Sequence, residues 1–413
     1  MNDQLTTRLS RELHEQVDGW YDTPLTLSGV RGRARTIRRR RQALGSGMVA
    51  AAVLAVAIPV GLALDTRTDS SDVPVAPSPT RMVDDTPTPR ADGSFALDVL
   101  DLAQGEVPAT GFIPLADGTL HTPEGILPLP ESTAQLHRFG DGWIGFRGAT
   151  NPENTGYNIF QSLAEPVQVT GEAPAYGLVV DAAGERAAWV EVEGDRWTLV
   201  AAAPDQPLWR TEVGADSRPV GLLADGSVVF QTLDYETGET LFAVADADGS
   251  IAPFGEGMNS LEDASEASGL VAGQASYDEP IGTACYRVLD PVSEVTAFET
   301  CDFRPVSFSP DGTLVAGYSA YADALGSPEL AILDAVTGDP VVRWSSGRDR
   351  QSPASVQSVA WEDEDTLNAT VTEGTQQVVV RAELDGTLER VSDPVEATMS
   401  IAYWLPEAQT NLG

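Results

Sequence analysis

Lysine is absent from this chain: all 25 basic residues are arginine, set against 62 Asp and Glu, for a formal net charge of −37. That balance excludes the main body as a nucleic-acid binder, because phosphate recognition needs a basic face. Cysteine is nearly absent as well, with two residues, and histidine is limited to three. No His and Cys spacing suited to zinc occurs, since Cys285 and Cys301 have no nearby His and no C-x-x-C. The G-x-S-x-G and H-E-x-x-H patterns and a glycine-rich phosphate loop are also missing. Long apolar runs are absent too, with one exception.

That exception is Ala43 to Leu64, 22 residues without a charge. As a helix it would measure about 33 Å, which matches the hydrocarbon thickness of a bilayer. Arg31, Arg33, Arg35 and Arg38 to Arg41 crowd one flank, and Asp65 opens the other. Residues 1–42 hold nine Arg and five acids, a balance of +4, whereas residues 65–413 hold sixteen Arg and 57 acids, a balance of −41. The positive-inside rule therefore keeps the N-terminus cytoplasmic and exports the rest. The preferred reading is an uncleaved single-pass anchor over 43–64. The alternative is a signal peptide with a long n-region, cleaved near Ala63.

Within residues 1–42, Leu5, Leu9, Leu13, Val17 and Trp20 form one stripe at helical spacing. A lone helix of that length is marginal in water without a packing surface. The stripe reads as a docking site for a cytoplasmic partner. The competing reading is a helix resting on the inner leaflet, or no fixed structure. Residues 65–95, rich in Pro, Thr, Ser and Asp, read as a disordered spacer. The fourth region, 96–413, is the large acidic domain.

Period-two alternation dominates that domain. In FRPVSFSPDGTLVAGYSA, Val306 and Phe308 alternate before the Pro310-Asp311-Gly312 turn, and Leu314, Ala316 and Tyr318 alternate after it. The hairpin recurs, with its second apolar run near Trp143, Ala187, Ser227, Leu270, Leu314 and Leu367, at intervals of 44, 40, 43, 44 and 53 residues. Two further apolar strands follow in each unit, as in PELAILDAVTGDPVVRW. Four strands in each period of 40–45 residues is the blade pattern of a β-propeller. Six units run from Thr133 to Val391. A seventh would combine MSIAYWLPEAQ, as its innermost strand, with GFIPLADGTLHTPEGILPLP. Joining the two ends of the chain in one blade removes free sheet edges. Seven blades are favoured over six.

FSPDGTLVA, Phe308 to Ala316, resembles the repeat hallmark of TolB-like and WD-repeat propellers, and ELAILDAVTGDPV resembles the element that follows it. No Gly-His…Trp-Asp signature is present, so the WD-repeat resemblance is the weaker. The whole arrangement is similar to membrane proteins of actinobacteria, some of which accompany extracytoplasmic-function sigma factors. That resemblance implies a sigma factor as one candidate for the cytoplasmic partner. A zinc-binding anti-sigma domain does not fit, because His14 stands alone in the tail.

Cys285 and Cys301 lie symmetrically about Ser293, facing each other across one hairpin, and read as a disulfide. His121 and His137 read as surface or edge residues. WEDEDTLN gathers Glu362, Asp363, Glu364 and Asp365 in one turn, and DADGS gathers Asp246 and Asp248. Carboxylates so grouped could hold Ca²⁺, although neither turn has the D-x-D-x-D-G spacing, and solvated turns are the plainer reading. No cofactor is otherwise expected. The sequence thus points to a non-enzymatic cell-surface propeller that binds an extracellular protein or small ligand, with signalling through the tail. The alternatives are a purely extracellular scaffold or envelope-maintenance protein and, behind it, a propeller hydrolase or lyase.

Overall fold

The computed structural model describes residues 87–148, 157–161, 175–204, 206–234, 237–278, 283–321, 326–347, 353–397 and 401–408. The tail stripe from Leu5 to Trp20 and the apolar segment 43–64 lie outside these residues. Among the described residues no helix is long and apolar enough to cross a membrane.

The described strands form successive, mainly antiparallel blades in chain order, with blades 1 and 2 joined by the single Tyr157–Ala175 pair. Blade 1 comprises Thr133–Phe139, Gly142–Gly148 and Tyr157–Phe160. Blade 2 runs from Ala175–Val180 through Ala187–Glu193 and Arg196–Ala203 to Gln206–Val213. Blade 3 begins with Ser217–Leu222 and blade 4 with Ser260–Ala264, each a four-stranded meander. Blades 5 and 6 begin with Phe303–Phe308 and Ser355–Trp361. Blade 7 joins the two ends of the domain: Tyr403–Trp404 pairs antiparallel with Ile113–Pro114, and Thr119–Thr122 with Gly125–Pro128. The Phe112–His121 bridge links the two pairs.

Apolar burial follows the same division. Seven clusters of buried side chains lie among the described residues, one at each junction between neighbouring blades. Ile113, Leu120 and Trp404 of blade 7 pack on Leu136, Trp143 and Phe160 of blade 1, which closes the ring. Each sheet is therefore apolar on both faces, and its hydrophobic surface is removed from water only by the next blade. Together these observations make the domain an all-β propeller.

The turn that ends each innermost strand shows why the local sequence folds this way. In blade 5, Gly312 sits at φ 72°, a region open to glycine at little steric cost. The Ser309 Oγ–H donates to Asp311 Oδ1 (2.6 Å), and Ser309 Oγ accepts from the Leu314 N–H (3.0 Å). Asp311 also accepts from the Thr313 N–H (3.1 Å). The D-G-Ser/Thr triplets at Asp92, Asp225, Asp248 and Asp385 repeat that last contact. These hydrogen bonds hold the carboxyls of Asp225, Asp248 and Asp385 below the usual carboxylate range.

Residues 87–112 form an arm rather than a free chain. Arg90 donates to the Ser345 carbonyl (2.6 Å), and Phe95–Ala96 adds a parallel fifth strand to blade 5, opposite Trp344 and Ser345. Leu97 and Val99 are fully buried between blades 5 and 6. Gln104 then bridges Arg390 on blade 6, and the arm continues into blade 7. The stretch read as spacer thus ends in ordered structure from Pro87. Proline-rich composition hides it, because the arm is held through backbone groups and two apolar side chains.

Cys285 and Cys301 are bonded, with Cα atoms 4.1 Å apart, across the third and fourth strands of blade 4. That is the predicted hairpin.

Candidate ligand-binding channel

An innermost strand has a ladder partner on one side only, so its backbone groups on the channel side need other partners. Side chains from neighbouring blades supply several of them. Gln135 Oε1 accepts from the Leu178 N–H (3.4 Å), Gln231 Oε1 from Leu261 (3.1 Å) and Asp263 Oδ2 from Phe308 (2.7 Å). Gln377 Oε1 accepts from both Ala402 and Tyr403 (2.7 and 2.8 Å), fastening blade 6 to the strand that closes the ring.

Each innermost strand of blades 1–6 also carries a register shift against the next strand. The shifts fall at Thr133/Gln135, Tyr176/Val179, Pro219/Gly221, Leu261/Asp263, Pro305/Ser307 and Val356/Ser358. An extra residue bends a strand and re-aims its side chains. Six such bends at one level shape the wall of a central channel.

The channel encloses about 720 Å³ and is lined by residues of all seven blades and the arm. Its two ends differ in chemistry. Where the innermost strands of blades 1 and 2 begin, Phe146 stacks on Tyr157 and Tyr176 on Trp197, with ring centroids 5.7 and 5.3 Å apart. Where the strands end, carboxylates gather. Asp181, Glu262, Asp263, Glu266, Glu362 and Glu407 line the cavity there with Arg138, while Asp216 and Arg218 line it at the start of the blade 3 strand, toward the aromatic end.

Most of these carboxylates are tied into the ring. Arg186 contacts Asp181 (3.0 Å) and Glu266, and its Nη1 donates to the carbonyls of Leu223 and Ala224, so one guanidinium joins blades 2, 3 and 4. Burial still pushes the Glu266 carboxyl above its ordinary value, outweighing the attraction of Arg186. Arg304 pairs with Glu262 (2.7 Å). Arg381 holds Glu362 (2.9 Å), which also accepts from the Ala109 N–H of the arm (2.7 Å).

Glu407 and His137 differ. The Glu407 N–H donates to the Leu136 carbonyl (2.9 Å), and its Oε1 accepts from the Arg138 N–H (3.3 Å), so Glu407 brackets His137 along the strand. The Arg138 guanidinium lies 4.7 Å over Trp143 and donates to Ala109 O, turned to other partners. Burial pushes the Glu407 carboxyl up in spite of the Arg138 backbone bond. His137 lines the channel, is 8% exposed, and its buried Nε2 has no hydrogen-bond partner. Desolvation lowers its pKa to about 4, so the ring is neutral at pH 7. His137 thus lies on an edge strand, one of its two expected places, but it is buried in the channel wall and not on the outer surface.

The acidic turns have hydrogen-bond and ion-pair partners of their own. Glu362 faces Arg381 and Asn368, while Asp363 accepts from the Asp365 N–H in an exposed turn with Glu364. Asp246 and Asp248 are each bonded to Ser250. Among the described residues no three His, Cys, Asp or Glu side chains are grouped so as to hold a metal ion. His137 and Glu407 were missed in the sequence, since neither lies in a motif and 270 residues separate them. The Arg-Phe-Gly turn after His137 was the single local signal, marking the end of an innermost strand.

No protein-family model matches the chain, and no curated protein matches it. Among solved structures it is similar to TolB from Acinetobacter baumannii, with 17% identity, 65% of this chain and 68% of that one covered, and a TM-score of 0.39. It is also similar to the β-propeller domain of the Trilobed protease from Pyrococcus furiosus (12% identity, 64% and 85% covered, TM-score 0.43). A third is prolyl oligopeptidase B from Galerina marginata (13% identity, 64% and 44% covered, TM-score 0.45). Likeness at this level carries no activity across, and the propeller assignment rests on the strand pairing and the seven interblade clusters.

Proposed function

We propose that the protein is a non-enzymatic binding propeller held at the cell surface by segment 43–64, with its ligand in the central channel. The observation that carries this reading is the channel itself: about 720 Å³, lined from every blade, within the size of ligand pockets. Its carboxylates support binding over hydrolysis, because Asp181, Glu262, Glu266 and Glu362 are engaged by arginines rather than poised as an acid–base pair. Residues 1–42 remain available to a cytoplasmic partner through the Leu5–Trp20 stripe.

The test is ligand capture from envelope extract by the full chain and by Ala183→Trp. Ala183 is exposed on a turn at the channel mouth, so a large ring there obstructs entry with little effect on folding. A compound or peptide that co-purifies with the wild type and is lost from Ala183→Trp supports the channel. Identical capture by both chains sinks it. For the tail, Leu9→Asp with Leu13→Asp should remove a co-purifying cytosolic protein, and an unchanged profile would refute coupling.

A further inference from the structure

Three features of the channel bear on what it holds, and they agree in sign. The first is charge. Seven carboxylates and two guanidiniums line the cavity, and the arginines that reach in from behind the wall neutralise only part of the excess. The charge balance of residues 65–413, −41 with the lining groups included, has the same sign. Field lines from such a wall are focused along a low-dielectric passage and draw in cations.

Second, the pair His137 and Glu407 is incompletely bonded. No guanidinium among the described residues forms an ion pair with Glu407; the Arg138 guanidinium attracts it without contact, and its carboxylate accepts one backbone N–H at 3.3 Å. His137 is more than nine-tenths buried, faces the cavity, and leaves Nε2 without a partner. A buried polar atom left unsatisfied is destabilising, so such a group in a cavity wall calls for an occupant. In the tautomer that carries its proton on Nδ1, the neutral ring presents Nε2 as an acceptor beside the carboxylate, and a donor-rich cation satisfies both together. An anion would meet repulsion from Glu407 and the remaining wall.

Third, the stacked pairs Phe146–Tyr157 and Tyr176–Trp197 lie at the other end of the same cavity. Phe146 is buried in the core between blades 1 and 2, whereas Tyr157, Tyr176 and Trp197 are half-buried, and their rings suit an apolar or ring-bearing stem and add attraction for positive charge.

We infer that the channel takes an elongated ligand with an amine or guanidinium end, which lodges at His137 and Glu407 while its stem lies toward the aromatic pairs. This rests on the channel reading above and adds the ligand's charge and orientation.

The experiment is calorimetric titration of the full chain in detergent with agmatine, which carries an ammonium and a guanidinium on one stem. Glutarate, a dianion of similar length, serves as the opposite-charge probe. The wild type should bind agmatine saturably and fail to bind glutarate. Binding should weaken at least tenfold in His137→Leu and in Glu407→Gln, and disappear in Ala183→Trp. Glu407→Gln removes a charge with little change of shape, so it carries the test if His137→Leu fails to fold. Absence of agmatine binding, or equal affinity in wild type and both site variants, overturns the inference. Glutarate binding that Ala183→Trp abolishes would overturn the cation assignment while leaving the channel as the site.

Discussion

Replacing His137 by Leu should flatten the acid limb of the stability curve, and the size of the effect can be worked from the structure. The ring is buried in the channel wall and its pKa is lowered from 6.5 to about 4 by desolvation. Because the folded value lies below the unfolded one, the unfolded chain binds the proton first as pH falls. The stability linked to the neutral ring is therefore complete above pH 6.5 and is lost as pH falls through about 4. A difference of about 2.5 units at 1.36 kcal/mol each amounts to about 3 kcal/mol. The wild type should lose that amount between pH 7 and pH 4 in excess of His137→Leu, as measured by urea unfolding of the full chain. Burial of Glu266 and Glu407 raises their pKa values and acts in the opposite direction, with stability lost as pH rises, but these groups are common to both curves. At pH 7 the variant should be within about 1 kcal/mol of the wild type, since Leu replaces a ring whose Nε2 is unbonded. With three histidines in the chain, ring-proton NMR can follow each one. Parallel stability curves, or a His137 ring that titrates near 6.5, would refute the reasoning.

Gly312→Ala should cost about 3 kcal/mol, and Gly374→Ala about 1 kcal/mol, in chemical denaturation. Both residues have positive φ, but a Cβ at Gly312 would lie 2.6 Å from Ser265 Oγ and 2.7 Å from the Ser268 backbone nitrogen of the neighbouring blade, whereas at Gly374 nothing lies within 4 Å. Equal losses would show that the two turns are not in contact. Replacing Cys285 and Cys301 together by Ser opens a link between residues 16 apart and should cost roughly 3 kcal/mol, or about 4 °C in Tm for a domain of this size. A melting curve identical to that of the wild type would mean the bridge constrains nothing in the unfolded chain.

The blades were legible where sequence pattern and geometry share a period. FSPDGTLVA is both a strong turn and a strong alternation, and the second strand of each of the first six blades falls where the repeat places it. Blade 7 was legible from Tyr403 and Ile113 because the repeat left one innermost strand and its partners unassigned at opposite ends. The arm was hidden by composition. Phe95 and Ala96 pair through backbone groups, which no side-chain pattern reports. The bulges were hidden because one extra residue per strand is smaller than the natural scatter in repeat length. The channel chemistry was hidden for a different reason. Arg186 meets Glu266 eighty residues away, and Ala109 meets Glu362 across 253. Glu407 comes to bracket His137 only across 270 residues of sequence.

Blade 7 has a consequence for the order in which the molecule can form. Ile113 leaves the ribosome 291 residues before Trp404, its partner in the ring. Until then the outer strands of that blade have no inner strand, and the apolar faces of blades 1 and 6 that blade 7 covers stay open to water. Native contacts so distant in sequence slow folding, because a long loop must close before they contribute. The unfinished chain is then an arc with two sticky ends, exposed to self-association. Its strong like charge, −41 over residues 65–413, keeps such arcs apart during that interval. The acidity that sets the character of the channel would thus also protect the protein before it has one.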